Sequence, residues 1–364
     1  MKIILLVAGG RTGNEFFHSL LDSHSEILQF PGILVTDNNF VKMIEHNEIS
    51  QIPKIFISLF PQFFDSRLNK IERMNKLGLN KKKFFNIDKK KFCNNFNKLM
   101  KDTKDFDKIG IIKNLHLAYS NLTKTKIKKP KIMIINPHLI KYTKNFINNF
   151  GNKNTEIICT IRHPLSALSS QIINNLNYKN GSTFLAKDLY KSFEMVFKDF
   201  YKYLKLCKVR VVKLENIHLN HKKVFLDFCK TYNLKYEKTL NRSTFLGLQW
   251  WGDAISKKWL KGINKNFQVK IREDLFFKKD LYFFQTISKT FFKSYKYKYL
   301  IHHKNCFLKI LPLKSELIVW KNSFRHASRL KNIISIPLYY FLRIVFINKF
   351  FIKKKKMPYS FGDK

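Results

Sequence analysis

Residues 2–24, KIILLVAGGRTGNEFFHSLLDSH, decide how the rest of the chain is read. Ile3–Val7 is apolar without alternation, the pattern of a parallel strand buried on both faces. A glycine turn follows at once, Gly9-Gly10-Arg11-Thr12-Gly13, and then a helix predicted over about Asn14–Asp22. A lysine before a short apolar run is also how a secretory leader begins. Here the run is too short, and Gly-Gly-Arg stands where a small-residue cleavage site belongs, so the segment reads as a buried first strand.

Further along, Lys131–Ile135, Ile157–Ile161 and Val209–Leu214 are short apolar runs of the same kind, the last followed by a helix through Tyr232. Strands alternating with helices predict an α/β fold, an open parallel sheet flanked by helices. Residues at about 36–125 lack strong strand signals and show helical periodicity, with Phe40, Met43 and Ile44 on one face. They are predicted as a helical insertion in an α/β domain covering 1–262. Residues 263–364 are predicted as a mostly helical region packed on the core or on a membrane surface. Ile333–Phe351 is apolar and runs into Lys353–Lys356, but Pro337, Arg343, Asn348 and Lys349 interrupt it, which argues against a spanning helix. Two expectations stand for it: a helix lying on an anionic membrane surface, or one docked on the core.

The 69 basic against 25 acidic residues leave a formal charge of +44, which suits anionic partners. The basic runs Asn80–Lys83, Lys89–Lys91 and Lys126–Lys131 are scattered, and the abundant Lys, Asn, Ile and Phe all have A/T-rich codons. The excess is therefore read as compositional, and nucleic acid is not the expected partner. Five cysteines form no CxxC pair, and the histidines form no ligand cluster, so a reduced, cytoplasmic protein without a bound metal is expected.

Three segments begin where a predicted strand ends: Gly9, Asn136 and Arg162. Ligands of open α/β sheets bind beyond the carboxyl ends of the strands. In the first segment, glycines let backbone N–H groups approach an anion, the next helix points its positive end there, and Arg11 adds a planar cation. GxxxxGK[ST] is absent, so nothing points directly to ATP hydrolysis. In the third segment, Arg162 offers forked, charge-assisted donors, Pro164 marks a helix start, and Ser170 lies eight residues beyond Arg162.

Together these segments resemble the sulfotransferases that use 3′-phosphoadenosine 5′-phosphosulfate (PAPS), whose fold is a P-loop-like α/β sheet. The phosphosulfate loop of that family reads roughly R/K-S-G-T-T/S, then large apolar residues and often L-L-D-x-H-P. This chain has Arg11-Thr12-Gly13-Asn14-Glu15, then Phe16-Phe17 and Leu20-Leu21-Asp22-Ser23-His24. Its IRHPLSALSS is similar to the family's R-x-P-x-x-x-x-x-S.

The resemblance implies that Gly10, Arg11, Thr12, Gly13 and Asn14 bind the 5′-phosphosulfate. It implies that Arg162 and Ser170, or the neighbouring Ser169, grip the 3′-phosphate. His138 matches the histidine of a Lys-x-His base motif, with the uncharged Asn136 at the lysine position, so Arg11 would cover part of the leaving-group charge. Glu15 is the alternative base and Asp37 a weaker one. Thr12-x-x-Glu15 also fits a capping box, the preferred reading of Glu15. VVKLENI (Val211–Ile217) resembles a family strand ending in Y-E-D-L, with Glu215 as a structural tie.

Gly247–Gly262 resembles a loop that covers the cofactor. Trp251 or Trp250 would stack on adenine, and Lys257 with Lys258 would approach phosphate. An aromatic core with solvated lysines explains that loop equally well. The expected activity is transfer of a sulfuryl group from PAPS to a hydroxyl or amine of a glycan, lipid headgroup or metabolite, with no metal. The alternatives are a P-loop-type phosphotransferase and a non-catalytic basic module on membrane or nucleic acid.

Overall fold

Strand β1 (Lys2–Ala8) runs through the middle of a five-stranded parallel sheet. The others are β2 (Ile27–Gln29), β3 (Ile132–His138), β4 (Thr155–Ile161) and β5 (Lys208–Lys213), in the order β2-β3-β1-β4-β5. Ile4 pairs with Ile134 on one side and with Glu156 on the other. Ile3–Val7 is buried throughout, which is why its sequence has no polar alternation. The computed structural model describes residues 1–102, 107–123, 127, 129–177, 186–254, 259–260, 262–298, 312–326, 329–350 and 357–363.

The sheet is flanked by helices, so the fold class is α/β. They are α1 (Asn14–Leu20), α2 (Asn38–Glu45), α3 (Ile52–Leu59), α4 (Pro61–Phe64), α5 (Lys89–Asp102), α6 (Lys108–Ser120), α7 (Ile140–Phe150) and α8 (Pro164–Asn177). Then come α9 (Ala186–Phe193), α10 (Asp199–Tyr203), α11 (Leu214–Leu219) and α12 (His221–Tyr232). A two-stranded hairpin, β6 (Thr244–Phe245) and β7 (Leu248–Gln249), precedes α13 (Lys278–Ile287), α14 (Lys289–Ser294), α15 (Lys314–His326) and α16 (Arg329–Phe350).

Phe30, just past β2, ties the α2–α6 segment to the sheet. Its ring stacks on Phe63 at 5.2 Å and lies 4.9 Å from Phe56. At the other edge the C-terminal residues return to β5: Val211 N donates to the Tyr359 carbonyl and Phe361 N to the Val211 carbonyl, each at 3.0 Å. Among the described residues no helix is long and apolar enough to cross a membrane.

The chain leaves β1 toward the β3–β2 side and leaves β4 toward β5. The order reverses between β1 and β4, so the crevice beyond their carboxyl ends is the topological switch point.

Candidate functional site

The loop at that switch point is built on three left-handed residues, Gly10 (φ 77°), Arg11 (φ 49°) and Gly13 (φ 83°). Gly13 is required: a Cβ there would sit 2.6 Å from Leu214 Cδ1. Gly13 is also the N-cap of α1 and makes no side-chain cap bond. The capping box expected for Thr12 and Glu15 is therefore not formed. The Thr12 hydroxyl lies instead 3.0 Å from that of Thr160 on β4, joining the loop to the strand across the crevice.

Glu15 turns into a buried polar network at the ends of β1 and β3. Asn136 Nδ2 donates to Glu15 Oε1 at 2.8 Å, and Asn14 Nδ2 donates to Asn136 Oδ1 at 2.9 Å. His138 Nδ1 lies 3.7 Å from Glu15 Oε1, and His18 Nδ1 lies 3.7 Å from Glu15 Oε2. Glu15 and His18 meet because they stand three apart on α1. His138 is aimed there by a bulge in the β1–β3 register and by its own left-handed backbone (φ 62°), with Leu139 N reaching back to the Pro137 carbonyl at 2.6 Å. Burial alone would push the Glu15 carboxyl up. The two imidazoles outweigh it and hold the carboxyl far below the usual carboxylate range. The Glu15 side chain is 11% exposed and that of His138 35%, so the histidine is the member of the pair that solvent or a substrate reaches.

Arg162 stands at the end of β4, one residue before the buried His163 that leads into α8. It is half-buried, and its Nε is buried with no hydrogen-bond partner. Burial lowers its proton affinity, Glu215 opposes that, and the positive charge of Arg11 adds to it. Arg11 itself lies near Asp253, Nη1 to Oδ2 at 3.4 Å. Glu215 accepts from His163 N at 2.8 Å and from the Tyr297 hydroxyl at 3.1 Å, a tie between β4, α11 and the chain after α14. Ser170 is half-buried in the second turn of α8, whereas Ser169 is buried and donates to the Ser166 carbonyl at 3.1 Å.

The tryptophans are fasteners. Trp250 Nε1 donates to the Glu72 carbonyl at 2.6 Å and Trp251 Nε1 to the Gly78 carbonyl at 2.7 Å, pinning this loop to the insertion. Asp22 holds the start of the same loop, accepting from Thr244 Oγ1 at 2.8 Å and Gly247 N at 2.9 Å. Lys257 and Lys258 lie outside the described residues. Asp37 caps α2, accepting from Phe40 N at 3.1 Å. His218 is sandwiched between Phe16 and Phe267, with ring centroids 4.9 and 4.6 Å away. Among the described residues no group of three or more His, Cys, Asp or Glu could hold a metal ion.

Glu72 and His18 were not singled out by sequence. Glu72 belongs to the insertion, and one carboxyl oxygen is buried without a hydrogen-bond partner. Burial, then the charges of Glu15 and Asp253, push its carboxyl well above the ordinary range, with Arg11 opposing. No local pattern marks it, since only the fold brings it near Glu15. The site thus sets a carboxyl held low against an imidazole and a second carboxyl held high, with the charge of Arg11 acting on the second. Environments that push neighbouring titratable groups apart are how acid and base roles are assigned.

Comparison of the chain with known protein families and with curated proteins finds no match.

Proposed function

We propose that the chain is a PAPS-dependent sulfotransferase on a P-loop-like sheet. The observation that carries this reading is Arg162: a guanidinium with a buried, unpartnered Nε just past β4, close enough to the first loop for the charge of Arg11 to act on it. A buried N–H without an acceptor is costly, and an oxygen of an anionic ligand removes the cost. Arg162 and Ser170 would hold the 3′-phosphate, and the loop with Arg11 the 5′-phosphosulfate. Glu15, the residue that most disturbs this assignment, is already engaged by Asn136 and the two histidines.

PAPS, when bound, supplies the sulfuryl group and a phosphate leaving group. His138 takes the acceptor's proton at Nε2, because Nδ1 faces Glu15. Glu15 then faces the imidazolium and steadies it. Arg11 neutralises charge on the leaving side.

Calorimetric titration with PAPS and with its product, 3′-phosphoadenosine 5′-phosphate, tests the reading. Wild type should bind both, ATP should compete poorly, and Arg162→Ala should weaken binding by about 10–100-fold. Equal binding by wild type and Arg162→Ala, or none by either, overturns it. Incubation with labelled PAPS and cell-extract fractions then identifies the acceptor.

A further inference from the structure

Helix α16 is turned inside out. Its side toward the protein carries polar groups, Asn332, Ser335 and Arg343 at 0%, 2% and 1% exposure, around the buried Tyr339. Asn332 Nδ2 donates to the Ser323 carbonyl at 3.1 Å, the Tyr339 hydroxyl donates to Glu316, and Arg343 Nε lies 3.2 Å from Glu316 Oε1. Its outer side is apolar: Leu330, Ile333, Ile334, Leu338, Phe341 and Ile344 are between 44% and 69% exposed. They recur at spacings of three and four and so form one stripe. Leu317 and Phe324 add 44% and 51% exposed apolar side chains on α15. A helix docked on a core has the reverse arrangement, and contiguous exposed apolar surface of this kind marks an interaction site.

The surroundings say what covers it. Lys321, Arg325 and Lys331 are exposed on the same two helices, and the chain carries +44 overall. A second copy would bring like charge against like charge. The Arg343–Glu316 pair, 1% and 0% exposed, fastens the polar side of α16 to α15 and keeps that side covered, so the helix presents one face without entering a bilayer. The stripe is about 21 Å long at 1.5 Å per residue. Apolar side chains set in acyl chains, with flanking cations at anionic headgroups, are what an interfacial helix requires. We propose that the outer faces of α15 and α16 seat this protein on the surface of an anionic lipid bilayer.

Co-sedimentation of the full chain with vesicles tests the proposal. Wild type should sediment with phosphatidylcholine vesicles carrying about 30% phosphatidylglycerol, and less with phosphatidylcholine alone. Ile334→Ser with Phe341→Ser should weaken binding at least about tenfold at an unchanged melting temperature, because both side chains are exposed. Leu330→Ser, further along the stripe, should weaken it about threefold and serves if the double variant is unstable. The proposal is overturned if wild type stays in the supernatant, or if the stable variants bind as tightly as wild type. It is equally overturned if wild type is a lipid-independent dimer that these substitutions dissociate.

Discussion

His138 Nδ1 and Glu15 Oε1 lie 3.7 Å apart, one at the end of β3 and the other in the first turn of α1. A carboxylate held against an imidazole fixes which ring nitrogen faces outward. His138→Ala should therefore lower sulfuryl transfer by about 10²–10⁴ with little change in PAPS affinity. Glu15→Gln keeps the ring and removes only the charge that steadies the imidazolium, so the loss should be smaller, about tenfold. Single-turnover rates with labelled PAPS separate the two. Equal, full activity in His138→Ala removes the histidine from the mechanism.

Acid should destabilise the protein in two separate windows. His116 is buried beside Phe30, its Nδ1 2.8 Å from the Ile112 carbonyl, and burial pushes it down from 6.5 to about 4. The unfolded chain takes up that proton first. The contribution of this group is complete above pH 6.5 and falls toward about pH 4, by on the order of 3 kcal/mol. Glu15 acts lower. Its folded-state carboxyl is depressed, so its contribution is present above its ordinary 4.5 and is lost below it. Urea unfolding at pH 7.5, 5.5 and 4.5 should show a shallower first decline in His116→Leu.

Much of the sheet was legible because β1, β3 and β4 are buried runs whose composition has no reason to alternate, while β5 showed through its valines Val209, Val211 and Val212 although only its second half is buried. β2 was not legible: Ile27–Gln29 is three residues long, too few to show a period. Glu15 was legible as a residue but not as a role. Its local pattern satisfied a capping box, and the pull away from it comes from Asn136 on β3, far away in sequence. Glu72 carried no pattern at all, since its chemistry comes from burial and from charges that only the fold assembles. The inverted faces of α16 were hidden for the same reason: sequence gives an apolar stretch but not which side of the helix meets the protein.

Gly13 and Gly151 separate two costs of adding a methyl group. Both have positive φ, 83° with ψ 28° at Gly13 and 80° with ψ 173° at Gly151, but a Cβ at Gly13 would meet Leu214 Cδ1 at 2.6 Å, while one at Gly151 meets nothing within 4 Å. Gly151→Ala should cost about 1–3 kcal/mol from backbone strain alone, because its φ/ψ region is essentially glycine's own. Gly13→Ala adds the clash and should cost about 2–4 kcal/mol. Leu214→Ala in that background should recover the clash component only. Denaturant midpoints at constant slope measure all three.

Glu72 should make the protein less stable in alkali than its other carboxyls do. Its folded-state carboxyl is raised, by burial first and then by Glu15 and Asp253. The unfolded chain loses this proton near the ordinary 4.5 while the folded chain retains it, so stability falls as pH rises from there through the folded value. Glu72→Gln imitates the neutral acid and removes the titration. The variant should match wild type near pH 4.5 and melt higher at pH 8, with the difference growing between those points. Arg11 bears on the same test. It opposes the rise, so Arg11→Ala should steepen the alkaline decline of wild type and leave Glu72→Gln unaffected. Parallel melting curves for wild type and Glu72→Gln across that range would place an ionised carboxylate at residue 72.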